Sequence, residues 1–178
     1  MLGGTLLRRT PGRETDGARA YSALCTESDR KGRVMTKPRV LFLCTGNSCR
    51  SQIAEGWLRE LAGERFDVLS AGTNPQGLNP GAVETMGAVG VDISGQTSDA
   101  IGEFVADPPE LVVTVCGHAA ENCPTFPGAT NIVHWPFPDP ADAQGTEEEV
   151  RAQFARVRDV IRTRIAEWIE AGASLNHG

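Results

Sequence analysis

Apolar residues in this chain gather into short runs that alternate with stretches of helical period, and the alternation begins only after residue 37. Val40 to Cys44 is a continuous apolar run with the length of a strand buried on both faces. Ile53, Ala54, Trp57, Leu58 and Leu61 then recur at three- and four-residue spacing and predict a helix with one apolar face. The stretch FDVLSAG predicts a second strand. Asn79 and Pro80 supply an N-cap and a first helical residue for a short helix through Val83, Met86 and Val89 that stops near Gly90. A helical turn is expected between Ser98 and Val105. ELVVTVC and NIVHWPF predict the third and fourth strands. Thr146 and Glu149 form a capping box for the last helix, where Val150, Phe154, Val157, Ile161, Ile165 and Trp168 recur at helical spacing.

Strands alternating with helices imply crossover connections and a three-layer α/β sandwich, with a central four-stranded parallel sheet and helices on both faces. Ligands of such sheets bind at the carboxyl ends of strands. Cys44, ending the first strand, and Cys116, ending the third, therefore fall on one edge. Residues 1–37 keep neither period and are rich in Gly, Arg, Ser and Thr. They are expected to be a disordered extension to a catalytic domain at 38–172, with 173–178 as a C-terminal tail. Met35 sits just before the first strand, which makes Met35 or Val34 a candidate natural start.

A length of 178 residues, 40% hydrophobic and 22% charged, fits one globular domain. No apolar run approaches the ~20 residues of a membrane-spanning helix. Residues 1–37 carry eight Lys/Arg against four Asp/Glu, which leaves nine against nineteen for the rest. So acidic a body is a poor scaffold for nucleic acid, and any anion must be held by a local site. Met1 to Leu7 has its arginines after a short apolar stretch, unlike a secretory signal, so a cytoplasmic location is expected. There the five cysteines would do chemistry or bind metal rather than staple the fold.

The chemistry concentrates in Cys44-Thr45-Gly46-Asn47-Ser48-Cys49-Arg50, followed by Ser51 at the start of a helix. A loop of this length between strand and helix can curl so that its backbone N–H groups converge, with the helix N-terminus behind and the guanidinium across: a cradle for a tetrahedral oxyanion. The same surroundings favour the thiolate form of Cys44. Gly46 permits a positive φ in the curl, while Asn47 and Ser51 brace it and donate to the thiolate. The plainer alternative, a merely buried strand-end cysteine, does not explain the strand before, the helix after and the glycine within. Cys116 and Cys123 enclose six residues that could bring two sulfurs together or hold them apart. A zinc site from Cys44, Cys49, Cys116 and Cys123 with His118 is the competing reading; its spacings do not match the usual knuckles, and Arg50 would repel a dication. Cys49 is read as packing and Cys25 as incidental. His118, His134 and His177 show no partner pattern.

CTGNSCRS resembles the phosphate-binding loop of the low-molecular-weight protein tyrosine phosphatase superfamily, and the resemblance runs from about Arg39 to Glu170. Asp139-Pro140 matches that superfamily's general acid, a carboxyl group able to protonate a leaving oxygen. Cys116 and Cys123, with Pro124 after them, resemble the redox segment of the thioredoxin-coupled arsenate reductases that use this fold. The resemblance implies that Cys44 attacks arsenate, Cys116 then attacks Cys44 as arsenite leaves, and Cys123 draws the disulfide outward for thioredoxin. Phosphate or sulfate would mimic the oxyanion. It implies no tightly bound cofactor, no nucleic-acid or membrane partner and a monomer. It also implies a potassium ion beneath the loop near Asn47, Glu55, Ser70, Thr97 and Asp99, for which loop-bracing hydrogen bonds are the alternative. Tyrosine phosphatase activity is the rival function, but Ala141, Asp142 and Ala143 follow Asp139-Pro140 where that family commonly has aromatic residues.

Overall fold

The computed structural model describes residues 36–115 and 131–175. The four apolar runs form strands β1 (Arg39–Cys44), β2 (Asp67–Gly72), β3 (Leu111–Thr114) and β4 (Asn131–His134), all parallel, in the order β2-β1-β3-β4. Three helices are described: α1 (Arg50–Ala62), α2 (Pro80–Gly87) and α3 (Glu147–Glu170). Short 3-10 turns lie at Ile101–Phe104 and Pro140–Asp142.

The central strands β1 and β3 are buried on both faces, which is why they read as continuous apolar runs, whereas Ile132 on the edge strand β4 is 49% exposed. On one face Val40, Phe42, Val68, Leu111 and Val113 pack with residues of all three helices into the main core. On the other, Leu41, Leu43, Ala71 and Val112 are covered by Ile101 and Phe104 of the 3-10 turn, which forms the third layer among the described residues. Local signals set the helix starts. The Asn79 side chain accepts from Gly81 N at 2.8 Å with Pro80 at the first helical position, and Thr146 and Glu149 exchange both bonds of the capping box. Trp57 Nε1 donates to Arg158 O at 3.1 Å and joins α1 to α3, while Arg158 Nη1 donates to Thr85 O at 3.0 Å and joins α3 to α2.

Several expected boundaries shift. Leu61 is 37% exposed because the last turn of α1 buries Ala62, directly beyond Leu58 on the same face. Val89 lies past the end of α2 and is 42% exposed, since Gly87 is the last helical residue and the chain turns through Gly90 at φ 83°. The turn expected over Ser98–Val105 contracts to Ile101–Phe104. The fourth strand stops at His134 because Pro136 has no N–H to continue the ladder. Trp135 N and Phe137 N still reach Thr114 O and Val115 O.

Candidate active site

From β1 the chain crosses to β2 on one side and later to β3 on the other, so the crevice at the carboxyl end of β1 is the topological switch point where such sheets bind ligands. Cys44 is the last residue of β1, 3% exposed and opposite Gly72. The next five residues curl and deliver the chain to Arg50, the first residue of α1.

Every carbonyl of the curl from Cys44 to Ser48 is taken by a donor outside it. Thr73 N reaches Cys44 O at 3.2 Å, Asn74 N reaches Thr45 O at 2.8 Å, Gln76 N reaches Gly46 O at 2.9 Å and Asn79 N reaches Ser48 O at 2.8 Å. Asn47 O accepts from Gln52 Nε2 at 3.0 Å and Ser98 Oγ at 2.9 Å. A planar trans peptide points its N–H opposite to its C=O. Carbonyls held outward therefore turn the intervening N–H groups inward, and with the α1 N-terminus behind them they suit a tetrahedral anion. Sequence reasoning missed the segment 73–79 that does the holding, together with Gln52 and Ser98. Its one textual signal is a cluster of Asn, Pro and Gly, which marks a loop without saying what the loop grips.

The left-handed residue of the curl is Asn47 at φ 41°, not Gly46 as expected. Asparagine tolerates this region, and its side chain is fixed there: Nδ2 donates to Ser51 Oγ at 3.0 Å and Ser70 Oγ at 2.8 Å, while Oδ1 accepts from Asp99 N at 2.7 Å. A Cβ on Gly46 would stand 3.3 Å from Ser48 Oγ and 3.5 Å from Gln76 Oε1, both ends of side chains. Cys44 Sγ accepts from Asn47 N at 3.1 Å and lies 3.0 Å from Ser51 Oγ. Because Ser51 Oγ already accepts from Asn47, its own proton is free for the sulfur. Two donors thus converge on the Cys44 sulfur.

Cys49 is a second buried thiol. It is 3% exposed in the main core, and burial first, then the negative charge of Asp139, pushes it up to about 12 despite Arg50 beside it. It stays a protonated packing group. The guanidinium of Arg50 donates through Nη1 to Phe137 O at 3.1 Å and through Nη2 to Asp139 Oδ2. Asp139 caps its own 3-10 turn, with Oδ1 accepting from Ala141 N at 3.0 Å. The structure therefore brings Cys44, Arg50 and Asp139 to one edge, with Thr45, Gly46, Asn47, Ser48, Cys49 and Ser51 forming the curl and helix start between them.

The oxygen-rich set is also brought together, as one hydrogen-bonded chain. Thr97 Oγ1 donates to Asp99 Oδ2 at 2.8 Å, Asp99 N reaches Asn47, and Asn47 reaches Ser70. Glu55 is 4% exposed and receives hydrogen bonds from Ser70 and Gln96 and an ion pair from Arg59. Burial outweighs these partners and raises its carboxyl above the usual range. Two buried acceptors around this set, Gln52 Oε1 and Gln96 Oε1, have no hydrogen-bond partner.

Cys116, Cys123, His118, Cys25 and His177 lie outside the described residues. β3 does end level with the cradle: Thr114 pairs with Leu43, and Val115 N donates to Leu43 O at 2.9 Å. His134 has a partner after all, with Nδ1 2.8 Å from Thr114 Oγ1. Among the described residues no three of His, Cys, Asp and Glu gather as a metal site. Nor is any helix among them long and apolar enough to cross a membrane.

Residues 39–177 match the model of the low molecular weight phosphotyrosine protein phosphatase family. An arsenate reductase of Halalkalibacterium halodurans is 53% identical over 138 residues, which cover 78% of this chain and 99% of that protein. One from Bacillus subtilis is 54% identical over 133 residues, covering 75% and 96%. Among solved structures, an arsenate reductase in the phosphate binding state aligns with a TM-score of 0.61 at 32% identity, over 76% of this chain and 98% of that one. A low molecular weight protein tyrosine phosphatase from T. tengcongensis aligns at 0.64 over 76% and 99%, with 23% identity, and shows the shared fold.

Proposed function

The chain belongs to the low molecular weight phosphotyrosine protein phosphatase family, and from that membership we propose that it is an arsenate reductase which works through a cysteine adduct and a disulfide relay. The observation that carries this reading is the pair of donors on Cys44 Sγ at the floor of a curl whose carbonyls all face outward. The cradle supplies inward N–H groups and the Arg50 fork for a tetrahedral oxyanion. Its sulfur would attack the central atom from below.

In the proposed reaction the Cys44 thiolate forms a sulfur–arsenic(V) bond, and one arsenate oxygen departs as water with a proton from Asp139. The Cys116 thiolate then attacks Cys44 Sγ. A Cys44–Cys116 disulfide forms, the sulfur–arsenic bond breaks, and its electron pair leaves with arsenic as arsenite; two thiols are oxidised and arsenic is reduced by two electrons. Cys123 attacks Cys116, releasing Cys44 and leaving a Cys116–Cys123 disulfide that thioredoxin reduces. β3 supports this order by ending at Thr114, opposite Leu43 and two residues before Cys116. The reaction belongs in the cytoplasm, where thiols are kept reduced, and one copy of the chain carries all the groups it needs. Arsenate-dependent NADPH oxidation with thioredoxin and its reductase tests the reading; no consumption above the arsenate-free rate would reject it.

We also propose potassium as the ion that Asn47, Glu55, Ser70, Thr97 and Asp99 would hold. The donor set fits it: two carboxylates stand close enough for Asp99 to oppose ionisation of Glu55, and two buried carbonyl oxygens beside them lack partners. Bound there, the ion would supply positive charge beneath the curl and stiffen Asn47.

A further inference from the structure

We infer that Gly72 is a positioning residue for the nucleophile, and that the absence of a side chain at this position keeps the Asn47 N–H on the sulfur. Gly72 ends β2, pairs with Cys44 across the sheet and donates its N–H to Asp99 O at 2.9 Å. It also forms an isolated parallel bridge with Ala100. Among the described glycines the left-handed ones are Gly77, Gly90, Gly145 and Gly172, so Gly72 has a backbone that any residue adopts. Conformational freedom does not account for it, and in a strand glycine forfeits packing and entropy.

Space does account for it. A Cβ on Gly72 would stand 2.7 Å from Thr45 O, 2.8 Å from Asn47 N and 2.9 Å from Asn47 Cβ. The first two are backbone atoms of the curl, and the third is anchored by the three side-chain bonds of Asn47. None of the three is the free end of a flexible side chain that could swing away. A methyl group at 72 must therefore push the curl off the strand at the very peptide whose N–H reaches Cys44 Sγ at 3.1 Å. The same displacement pulls Thr45 O from Asn74 N and spoils the outward alignment of the carbonyls. Gly72 thus acts through Asn47 and touches neither sulfur nor substrate.

The inference rests on Cys44 being the reactive thiol, and its test avoids arsenate so that it stands apart from the reductase reading. Gly72→Ala is compared with wild type and with Gly87→Ala, where an added methyl meets nothing within 4 Å. Two quantities are read on folded protein: the pH profile of Cys44 alkylation by iodoacetamide, resolved by mass spectrometry, and the Kd for inorganic phosphate. Losing one hydrogen bond to the sulfur anion predicts an alkylation profile whose midpoint moves to about tenfold lower proton concentration, and phosphate bound about tenfold more weakly, in Gly72→Ala. Gly87→Ala should match wild type in both. Wild-type alkylation and phosphate affinity in Gly72→Ala would overturn the proposal, however much its Tm falls. Should the variant need help to fold, all three proteins are compared in trimethylamine N-oxide. The close approach is also read in the wild type by NMR: a strong nuclear Overhauser effect between Gly72 Hα and the Asn47 amide proton is expected, and its absence overturns the proposal independently.

Discussion

The guanidinium of Arg50 is paired with the carboxylate of Asp139, 89 residues further along the chain. In the proposed reaction one group is the anion-binding fork and the other the acid for the departing oxygen, so each occupies the other before substrate arrives. An oxyanion that seats on Arg50 competes with Asp139 for the same donors and, by taking them, frees the carboxyl to face the leaving oxygen. Asp139→Asn removes the internal competitor together with the acid. We expect phosphate to bind this variant several-fold more tightly while turnover falls by about a hundredfold or more. Calorimetric phosphate titration beside steady-state kinetics checks this; unchanged or weaker phosphate binding would show that the pair does not compete with substrate.

Cys44→Ser should abolish arsenate reduction and any aryl phosphatase activity, because a serine hydroxyl with the same two donors remains protonated and poorly nucleophilic. Arg50→Lys should also lose most activity, since a point charge replaces a fork that now holds both Phe137 O and Asp139. Turnover of either variant within a few-fold of wild type would remove that residue from the mechanism.

The grouping of residues on this edge was legible in the sequence because they are rare types at fixed offsets: Cys44 and Arg50 bracket the loop, and Asp139 precedes a proline after the last strand. What holds the loop was not. Thr73, Asn74, Gln76 and Asn79 contribute backbone N–H groups, which every residue but proline possesses, so no side-chain pattern announces them. Asn47 takes the left-handed position expected of Gly46 for a similar reason. The sequence shows which residue tolerates a positive φ most easily, but the choice was made by Ser70 and Asp99, which arrive from other elements to bind the Asn47 side chain. The helices were read from their periodicity, and the errors fell at their ends, where Leu61 and Val89 follow the apolar rhythm after the partner surface has run out.

Potassium should raise Tm relative to tetramethylammonium at matched ionic strength, since an ion that binds only the folded state stabilises it by mass action. Glu55→Gln should lose most of this difference. Equal melting temperatures for the wild type in the two cations would leave the oxygen set as a purely hydrogen-bonded brace.

The capping box of α3 predicts a pH dependence with a definite sign. Hydrogen bonds from Thr146 N, then from its hydroxyl, hold the Glu149 carboxyl below the usual range. A depressed folded value means that this contribution is complete above the unfolded pKa and disappears as pH falls through the folded one. Glu149→Gln should therefore cost stability at neutral pH, and its Tm should converge on that of the wild type in acid. Thr146→Ala should lower Tm by roughly 3 °C at neutral pH. A Glu149→Gln deficit that persists undiminished in acid would mean that the carboxylate is not what stabilises the cap.

Cys116 and Cys123 separate a reductase from a phosphatase that merely carries extra thiols. In the proposed relay Cys116 is needed to release arsenite, whereas Cys123 is needed only to move the disulfide outward, so the two variants must fail at different stages. Cys123→Ser, prereduced, should yield up to about one arsenite per chain and stop with Cys44 joined to Cys116. That disulfide should resist thioredoxin, because Cys44 is almost wholly buried at the floor of the cradle. Cys116→Ser should fail before the first release. Both should keep whatever weak phosphatase activity the wild type has, since the curl, Arg50 and Asp139 are untouched. Thiol mapping by mass spectrometry after one exposure to arsenate decides between the alternatives. Sustained thioredoxin-driven turnover by either variant, or a trapped disulfide in Cys123→Ser that omits Cys116, would refute the order of transfer.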